Sequence, residues 1–402
     1  MKLLSAITLC LLFFSCTEKS KTEEKEISNN KEVINDSTKT DSTTIILENK
    51  IKAIVKDSIH DELARYLSGQ KQLYKNEFSE LENEPQWIKH SEFITSQWSK
   101  MEASRQNKLV SWQKEVLAPI INDELPLFYP FSGPDFLHAY SFYPKAKAYT
   151  LIALEPVKEI KKPTILKQKE RNTFLKGTES ALRDVMEKSY FITTHMMQDM
   201  RGQKAKGVLT LFYIFLSKTN HEILSVTPID INENGNIVKK KDLSLKEAVA
   251  IQVLFRNKED KIVKTLNYFQ RDISDVALDK DLGFKKFIEN QPKSNSFLKA
   301  ASYLMHRTKF NYIRESVLAC SEHLFQDDTG VPLRYLDQSK YEVKLFGEYT
   351  KPIKNFGDRM EQEDLRTLYN NTPKEEIKHL PFLLGYHFVG DKIQNHQMIT
   401  LK

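Results

Sequence analysis

Glycine is scarce in this chain: 12 of its 402 residues are glycine, about 3% against a usual ~7%. No two glycines lie within two positions of each other, so the G-x-G-x-x-G loop of dinucleotide-binding folds is absent. Gly202 and Gly207 have the spacing of a phosphate-binding P-loop, but Val208 and Leu209 follow them in place of Lys and Ser or Thr. Nothing in the chain therefore indicates nucleotide chemistry of the glycine-loop type.

Other common signatures are missing as well. None of the 10 histidines forms an H-x-x-x-H or H-x-H pair, and there is no G-x-S-x-G nucleophile elbow. The formal net charge is +6, from 60 basic and 54 acidic residues spread along the chain, which is not the concentrated basic patch of a nucleic-acid-binding protein. We therefore expect no cofactor, no metal site and no nucleic-acid partner.

The N-terminus carries the clearest positive signal. Lys2 precedes a run from Leu3 to Phe14 that is far shorter than the ~20 apolar residues of a spanning helix, which is typical of a secretory signal peptide. The following Ser15 and Cys16 complete a sequence, Phe-Phe-Ser-Cys, that resembles the lipobox of bacterial lipoproteins. The resemblance implies cleavage before Cys16 and lipidation of its thiol, and several acyl chains hold a protein stably at a membrane.

Cysteine usage agrees with this interpretation. Of the three cysteines, Cys10 would leave with the signal peptide and Cys16 would carry lipid, so only Cys320 remains as a thiol. No intramolecular disulfide is then available, and the exported body must be stabilised by core burial.

The sequence predicts three regions: a signal peptide over residues 1–15, a lipidated cysteine and disordered tether over 16–46, and a single body over 47–402. The tether consists almost entirely of Lys, Glu, Ser, Thr, Asn and Asp, and such a segment buries too little apolar surface to fold. The body begins with a helical part over 47–118.

Helical spacing dominates the start of the body. Apolar residues predict one helix from Ile51 to Leu67, a short second helix from Leu73 to Leu81, and a long helix from Gln86 to about Leu117. A later helix is predicted from Phe174 to Ser189, whereas Val208 to Leu216 fits a buried helix and a buried strand equally well.

Strands follow in the second half. The pattern predicts hairpins at Ile223–Val238 and Ala248–Phe269, and strands at Tyr341–Phe346, Phe382–Val389 and Gln397–Leu401. Two helices are predicted between them, one through Phe297, Ala301 and Leu304, the next from Phe310 to Leu324. The expected fold class is α+β, with N-terminal helices packed on a mixed, mainly antiparallel sheet and further helices.

An aromatic-rich stretch from Leu127 to Tyr149 separates the two halves. It predicts a strand over Leu125–Phe131, a turn at Ser132–Asp135 with Ser132 as helix cap, a short helix, and a strand over Tyr149–Leu154. Asp135 and His138 are three residues apart at the helix start, so a carboxylate could orient an imidazole for acid–base chemistry. The alternative is a helix cap with a structurally bonded histidine in the core.

Three further patterns match known sites only in part. Asp327 and Asp328 precede Thr329-Gly330, an Asp-Thr-Gly found once here, whereas aspartic proteases need two such carboxylates; we expect a turn that ends a helix. Asp230 to Gly235 resembles half of a calcium loop, but lysine occupies the twelfth position, so a polar hairpin turn is expected. Cys320 lies on the apolar stripe of its helix and is expected to be structural.

The body also contains three segments, YPFSGPDF at 129–136, SYLMH at 302–306 and QDDTGVPLRYL at 326–336, that resemble an uncharacterised group of exported bacterial proteins with no known activity. The sequence thus predicts a lipid-anchored cell-envelope protein, on the periplasmic or surface face, with a binding or assembly function and an envelope protein or glycan as partner. The alternative is an envelope hydrolase of glycan or peptide that uses Asp135, His138, Asp327 or Asp328.

Overall fold

The computed structural model describes residues 59–188, 207–352, 360–385 and 394–402. Cys16 and the predicted signal and tether, residues 1–46, lie outside these ranges. Ten strands are present in the described part: β1 Leu127–Pro130, β2 Ala148–Ala153, β3 His221–Ile231, β4 Ile237–Lys239, β5 Ala250–Asn257, β6 Val263–Gln270, β7 Ser294–Leu298, β8 Ser321–Gln326, β9 Tyr341–Gly347 and β10 Asn395–Leu401.

The same ranges contain these α-helices: α1 Ile59–Leu67, α2 Pro85–Met101, α3 Asn107–Trp112, α4 Phe136–Phe142, α5 Gln168–Lys188, α6 Leu209–Lys218, α7 Asp275–Leu278, α8 Leu282–Glu289, α9 Asn311–Cys320 and α10 Glu363–Asn371. Short 3-10 turns include Leu81–Asn83 and Ala301–His306.

The strands form one sheet in the order β4-β3-β5-β6-β2-β1-β7-β8-β10-β9. Its centre, β6-β2-β1-β7-β8, is parallel, while both flanks are antiparallel. The predicted α+β fold with a mixed, mainly antiparallel sheet is therefore confirmed, since antiparallel pairings are the majority among the described strands. The parallel centre is a feature that the sequence pattern did not indicate.

Helices cover both faces of the sheet, as a parallel sheet requires. Side chains of a strand alternate between faces: Leu127 and Tyr129 of β1 join one core cluster with helices α1 to α6, whereas Phe128 joins a second cluster with α7 to α10. The aromatic stretch thus lies in the middle of the molecule and contributes to both cores.

The long helix predicted over Gln86–Leu117 is confirmed, with a refinement. Helix α2 continues into α3 through a π-helical segment, Glu102–Gln106, and a second one, Gln113–Leu117, ends the run. A π-helical turn holds an extra residue and shifts the buried stripe around the axis. It brings Arg105 and Gln106 to the buried side.

Most other elements agree with the prediction. The helix at Phe174–Ser189 corresponds to α5, the undecided segment Val208–Leu216 is helix α6, and both hairpins are present as β3–β4 and β5–β6. The part of the first predicted helix that precedes Ile59 lies outside the described residues.

Several predictions were wrong. Leu73 to Leu81 forms no α-helix, because the Asn76 side chain accepts the Phe78 N–H at 3.0 Å and turns the chain, leaving Leu73 exposed. The segment around Phe297 is strand β7 followed by a 3-10 turn, although the spacing of its apolar residues fits a helix.

Helix α9 ends at Cys320 and the chain continues directly as β8, so Leu324 lies in a strand. Of the strand predicted over 382–389, residues 382–385 are not in a strand and the rest lies outside the described ranges.

Candidate functional site

The order of the parallel strands creates a crevice. The chain passes from β1 to β2 on one side, and after β6 it crosses back to β7 on the other side of β1. Helix α4, which follows β1, packs on one face of the sheet, and α9, which follows β7, packs on the other. Such a point, at the carboxyl ends of parallel strands, is where open α/β sheets bind ligands.

Asp135 comes from the loop that follows β1 and begins α4. Its Oδ1 accepts the backbone N–H of His138 at 3.3 Å, so Asp135 is the helix cap. The prediction of Ser132 as the cap is wrong: its hydroxyl donates to the Gly133 carbonyl at 2.8 Å. The Asp135 side chain suits this position better because it lies next to the first free N–H groups of the helix.

The Asp135 carboxylate also interacts with three buried side chains. Oδ1 lies 2.7 Å from His138 Nδ1, and Oδ2 lies 3.0 Å from the Tyr129 hydroxyl, which donates to it. Oδ2 also lies 2.7 Å from Nζ of Lys299, the first residue after β7. An ion pair therefore joins the ends of β1 and β7 across the crevice, and all four side chains are buried.

Burial and mutual contact shift the acidity of this cluster. Burial alone would raise the pKa of Asp135, but the adjacent His138 and Lys299 groups lower it well below its usual range. Burial lowers the pKa of His138 to about 4. Asp135 raises this pKa, whereas Lys299 lowers it further. Burial also lowers the pKa of Lys299 and raises that of Tyr129. At neutral pH the imidazole is accordingly neutral and the carboxylate ionised.

A second cation lies behind the cluster. Arg105, on the inner side of the π-helical segment, is close enough to Asp135 for their charges to interact, and burial lowers its pKa to about 10. Its guanidinium donates to the Val185 carbonyl at 2.8 Å. The neighbouring Gln106 donates to Ser141 on α4 and so ties the π-helical segment to the helix that carries His138.

A cavity of about 330 Å³ opens at the ends of these strands. Tyr129, Asp135 and Lys299 contribute buried polar side chains to its wall, and Glu155, which follows β2, adds a second carboxylate. Arg271 and Asp272, which follow β6, add a further cation and a third carboxylate. The remaining wall is mainly apolar and comes from the ends of β1, β2 and β6 and from the segment after β7: Phe131, Ile152, Leu154, Ile273, Leu304 and Phe310. Leu154 and Leu304 are exposed at the rim. A small molecule with an apolar part and a polar group fits such a wall.

Two residues of the cavity wall have unusual backbone geometry. Phe131 has φ of 59°, and Ala300 has φ of 63° with ψ of −74°, a region that costs L-residues about 1–3 kcal/mol. The Ala300 N–H donates to Asp327 Oδ2 at 3.1 Å, which holds the strained turn in place. Phe131 is the first residue after β1, and Ala300 is the second residue after β7, next to Lys299, so both strained positions lie in the turns that lead out of the sheet.

Asp327 and Asp328 follow strand β8, and the expectation that they end a helix is wrong. Besides Ala300, Asp327 accepts the Thr329 N–H at 3.0 Å and its hydroxyl at 2.5 Å, while Asp328 accepts the Tyr303 hydroxyl at 2.6 Å. Neither carboxylate lines the cavity. The arrangement positions Ala300 and the turn after β7, and it does not place two carboxylates around one proton.

The remaining patterns have structural roles. Asn232 Oδ1 accepts the N–H groups of Asn234 and Asn236 in the β3–β4 turn, which confirms the polar hairpin in place of a calcium loop. Cys320 is buried in the apolar cluster as expected, and burial raises the pKa of its thiol to about 11. A thiol of this kind is a poor nucleophile.

Sequence reasoning identified Asp135 and His138 as neighbours but missed Lys299, Glu155 and Arg105. The helix assigned around Phe297 hid Lys299, because a single lysine on a helix is normally a solvated residue. A short apolar segment with a lysine at its end, followed by small residues, could have suggested a buried strand with a charged residue at its carboxyl end.

Comparison of the chain with protein-family models, with curated proteins and with solved structures finds no match. Within the described ranges, no helix is long and apolar enough to cross a membrane.

Proposed function

We propose that this chain is a lipid-anchored cell-envelope protein whose body binds a small molecule with an apolar part and a polar head group. The observation that carries the proposal is the Asp135–Lys299 ion pair, 2.7 Å long, in the wall of a mainly apolar cavity at the switch point of the parallel strands. The apolar wall would hold the tail of the ligand, and the ion pair would orient its head group.

The chemistry of the wall favours a head group that both donates and accepts hydrogen bonds. Lys299 is a donor, the Asp135 carboxylate is an acceptor, and the Tyr129 oxygen can accept because its proton is donated to Asp135. Lys299 and Arg271 compensate two of the three carboxylates of the wall, those of Asp135, Glu155 and Asp272, so the lining carries little net formal charge. We therefore favour a hydroxyl, carbonyl or amide group over a strongly charged one.

The cellular location rests on the lipobox-like sequence at Cys16 and on the polar composition of residues 17–44. A tether of this kind would hold the body near a membrane without inserting it. The ligand would then be a molecule of the envelope space.

Ligand binding can be tested with probes that share one tail and differ in head group: 4-phenylbutanol, 4-phenylbutyrate and 4-phenylbutylamine. A ligand present at ten times its Kd stabilises the folded state by about 1.4 kcal/mol, so the alcohol should raise the unfolding temperature of the full chain more than the two charged analogues do. Leu154→Trp at the exposed rim should remove the effect by filling the mouth of the cavity. Equal effects in this variant and in the native protein would refute the site.

A hydrolase remains the second candidate, because Asp135 and Glu155 line the same cavity and a pair of carboxylates is the usual equipment of glycan-cleaving enzymes. The ion pair of Asp135 with Lys299 weakens this candidate, since it keeps the carboxylate ionised and bound to the lysine. Glu155→Gln should abolish release of reducing sugar ends from envelope glycans if this candidate is correct. A native protein that releases none rules it out.

A further inference from the structure

Two lysines are buried among the described residues, Lys299 and Lys264, and they differ in their surroundings. Lys299 lines the cavity, and its Nζ lies 2.7 Å from the Asp135 carboxylate and 3.2 Å from His138 Nδ1. Lys264 is equally buried, but it donates to the Pro144 carbonyl and does not line this cavity. A buried lysine at the wall of a mainly apolar cavity has the surroundings of amines that react with carbonyl compounds.

The backbone holds this lysine in one position. Ala300, the next residue, has the strained conformation described above and is fixed by Asp327. Gly385 packs against the turn formed by Lys299 and Ala300. A methyl group in place of its α-hydrogen would lie 3.7 Å from Lys299 Cγ and 3.3 Å from Asp327 Oδ2. Strain of this kind is concentrated at functional sites.

We infer, on the basis of the proposed function, that Lys299 forms an imine with an aldehyde or ketone that has an apolar tail. The amine nitrogen attacks the carbonyl carbon, and the C=O double bond is replaced by C=N. The oxygen leaves as water with two protons that come from the ammonium. The overall reaction, ammonium plus carbonyl giving iminium plus water, conserves charge and needs no oxidant or reductant.

Asp135 has two parts in this reaction. Its Oδ2, at 2.7 Å from Nζ, is placed to relay one proton from the ammonium to the carbonyl oxygen, without holding it as a stable carboxylic acid, because the adjacent groups keep the pKa of Asp135 low. The iminium then keeps the positive charge beside the same carboxylate, so the ion pair of the free protein is also the ion pair of the product. The hydrogen bonds from Tyr129 and His138 hold the carboxylate in position for both steps.

The protonation state of the lysine is consistent with this role. Burial lowers the pKa of Lys299, and Asp135 only partly opposes this. The neutral, nucleophilic amine is therefore more accessible near neutral pH than it is in an exposed lysine.

Reductive trapping tests the inference. The full chain is treated briefly at neutral pH with 4-phenylbutanal and cyanoborohydride, which adds hydride to the iminium carbon and leaves a stable secondary amine, and the modified lysines are identified by peptide mass spectrometry. We expect Lys299 to be modified about tenfold faster than the matched control Lys264, a difference that corresponds to about 1.4 kcal/mol in activation free energy. Equal modification of the two overturns the inference.

Two variants separate a reactive site from general amine chemistry. Leu154→Trp should slow modification of Lys299 and leave that of exposed Lys145 unchanged. Lys299→Arg keeps a cation beside Asp135 and should lose the modification while it retains the native unfolding temperature. If 4-phenylbutanol stabilises the protein but the aldehyde does not modify Lys299, imine formation is refuted and the binding proposal stands; if neither compound acts, both fail.

Discussion

At the scale of single residues, the Asp135–Lys299 pair is the most consequential interaction of the site. Both side chains are almost fully buried, and the carboxylate holds three side-chain donors at once. A buried pair adds little net stability, but removal of one partner leaves an uncompensated charge in a medium of low dielectric constant.

The first prediction follows from this asymmetry. Asp135→Leu should lower the free energy of unfolding by about 3–5 kcal/mol, measured by urea denaturation, whereas adding Lys299→Met should restore the part of the loss that comes from the unpaired ammonium. The surface pair of Lys145 with Asp123 is the control: Lys145→Met should cost less than about 1 kcal/mol. Additive effects of the two buried substitutions would show that the pair is not coupled.

The second prediction concerns pH. The folded pKa of His138 is about 4, below the unfolded value of about 6.5, so the unfolded state binds an extra proton between these values. The contribution of the neutral imidazole is therefore complete above about pH 6.5 and is lost as the pH falls towards 4. Burial lowers the pKa of His60 and His306 to about 4 as well, which adds to the same trend.

His138→Gln should therefore reduce the slope of unfolding free energy against pH, between pH 6.5 and 4, by up to about 1.4 kcal/mol per pH unit. Denaturation at a series of pH values measures this slope. His379→Gln, at an exposed position, is the control. An unchanged slope in the His138 variant would mean that the imidazole is not held neutral.

At the scale of elements, strands β1 and β7 carry the site because they are neighbours and parallel, with Leu127 opposite Asn295 and Phe128 opposite Ser296. Their carboxyl ends therefore open into the same crevice. Each is followed within two residues by a non-glycine residue with positive φ, Phe131 or Ala300, and Asp327, which follows the adjacent β8, anchors the second of these turns. Three consecutive strands of the sheet thus determine the geometry of one ion pair.

The third prediction tests the strain at β7. Ala300→Gly should leave stability unchanged or raise it by up to about 1 kcal/mol, because glycine adopts positive φ without steric cost. The same change at Ala139, in the middle of α4, should lower stability by at least about 0.5–1 kcal/mol. Urea denaturation of both variants gives the comparison, and equal losses would contradict the assignment of strain.

At the scale of the whole molecule, the proposal combines a binding body with a membrane anchor. The body has two apolar cores, one on each face of the sheet, and no described helix suited to cross a bilayer. In the proposal, membrane attachment depends on lipid at Cys16.

The fourth prediction is that Cys16→Ser releases the protein from the membrane fraction and abolishes incorporation of labelled palmitate. Cys10→Ser, within the predicted signal peptide, should retain both the membrane association and the palmitate label. Cell fractionation followed by detection of the protein and of the label measures the two outcomes together. Palmitate label that persists in the Cys16 variant would contradict the lipoprotein assignment.

Elements defined by local pattern were predictable from the sequence. Three predicted features depend on residues close together in the chain, and the structure agrees with each. They are the stripe of the long helix, the hairpins at residues 223–238 and 248–269, and the proximity of Asp135 to His138. The fold class followed from the succession of these elements. The turn residues around Asn234-Gly235 specified their hairpin without help from the rest of the molecule.

The parallel centre of the sheet and the site within it were decided by tertiary structure alone. Phe297, Ala301 and Leu304 have helical spacing, yet β7 is a strand because β1 and β8 pair with both of its edges. Lys299 meets Asp135 only through that pairing. Local propensity is a weak preference that burial between two neighbours overrides, and parallel pairing brings together chain ends that no short-range pattern connects.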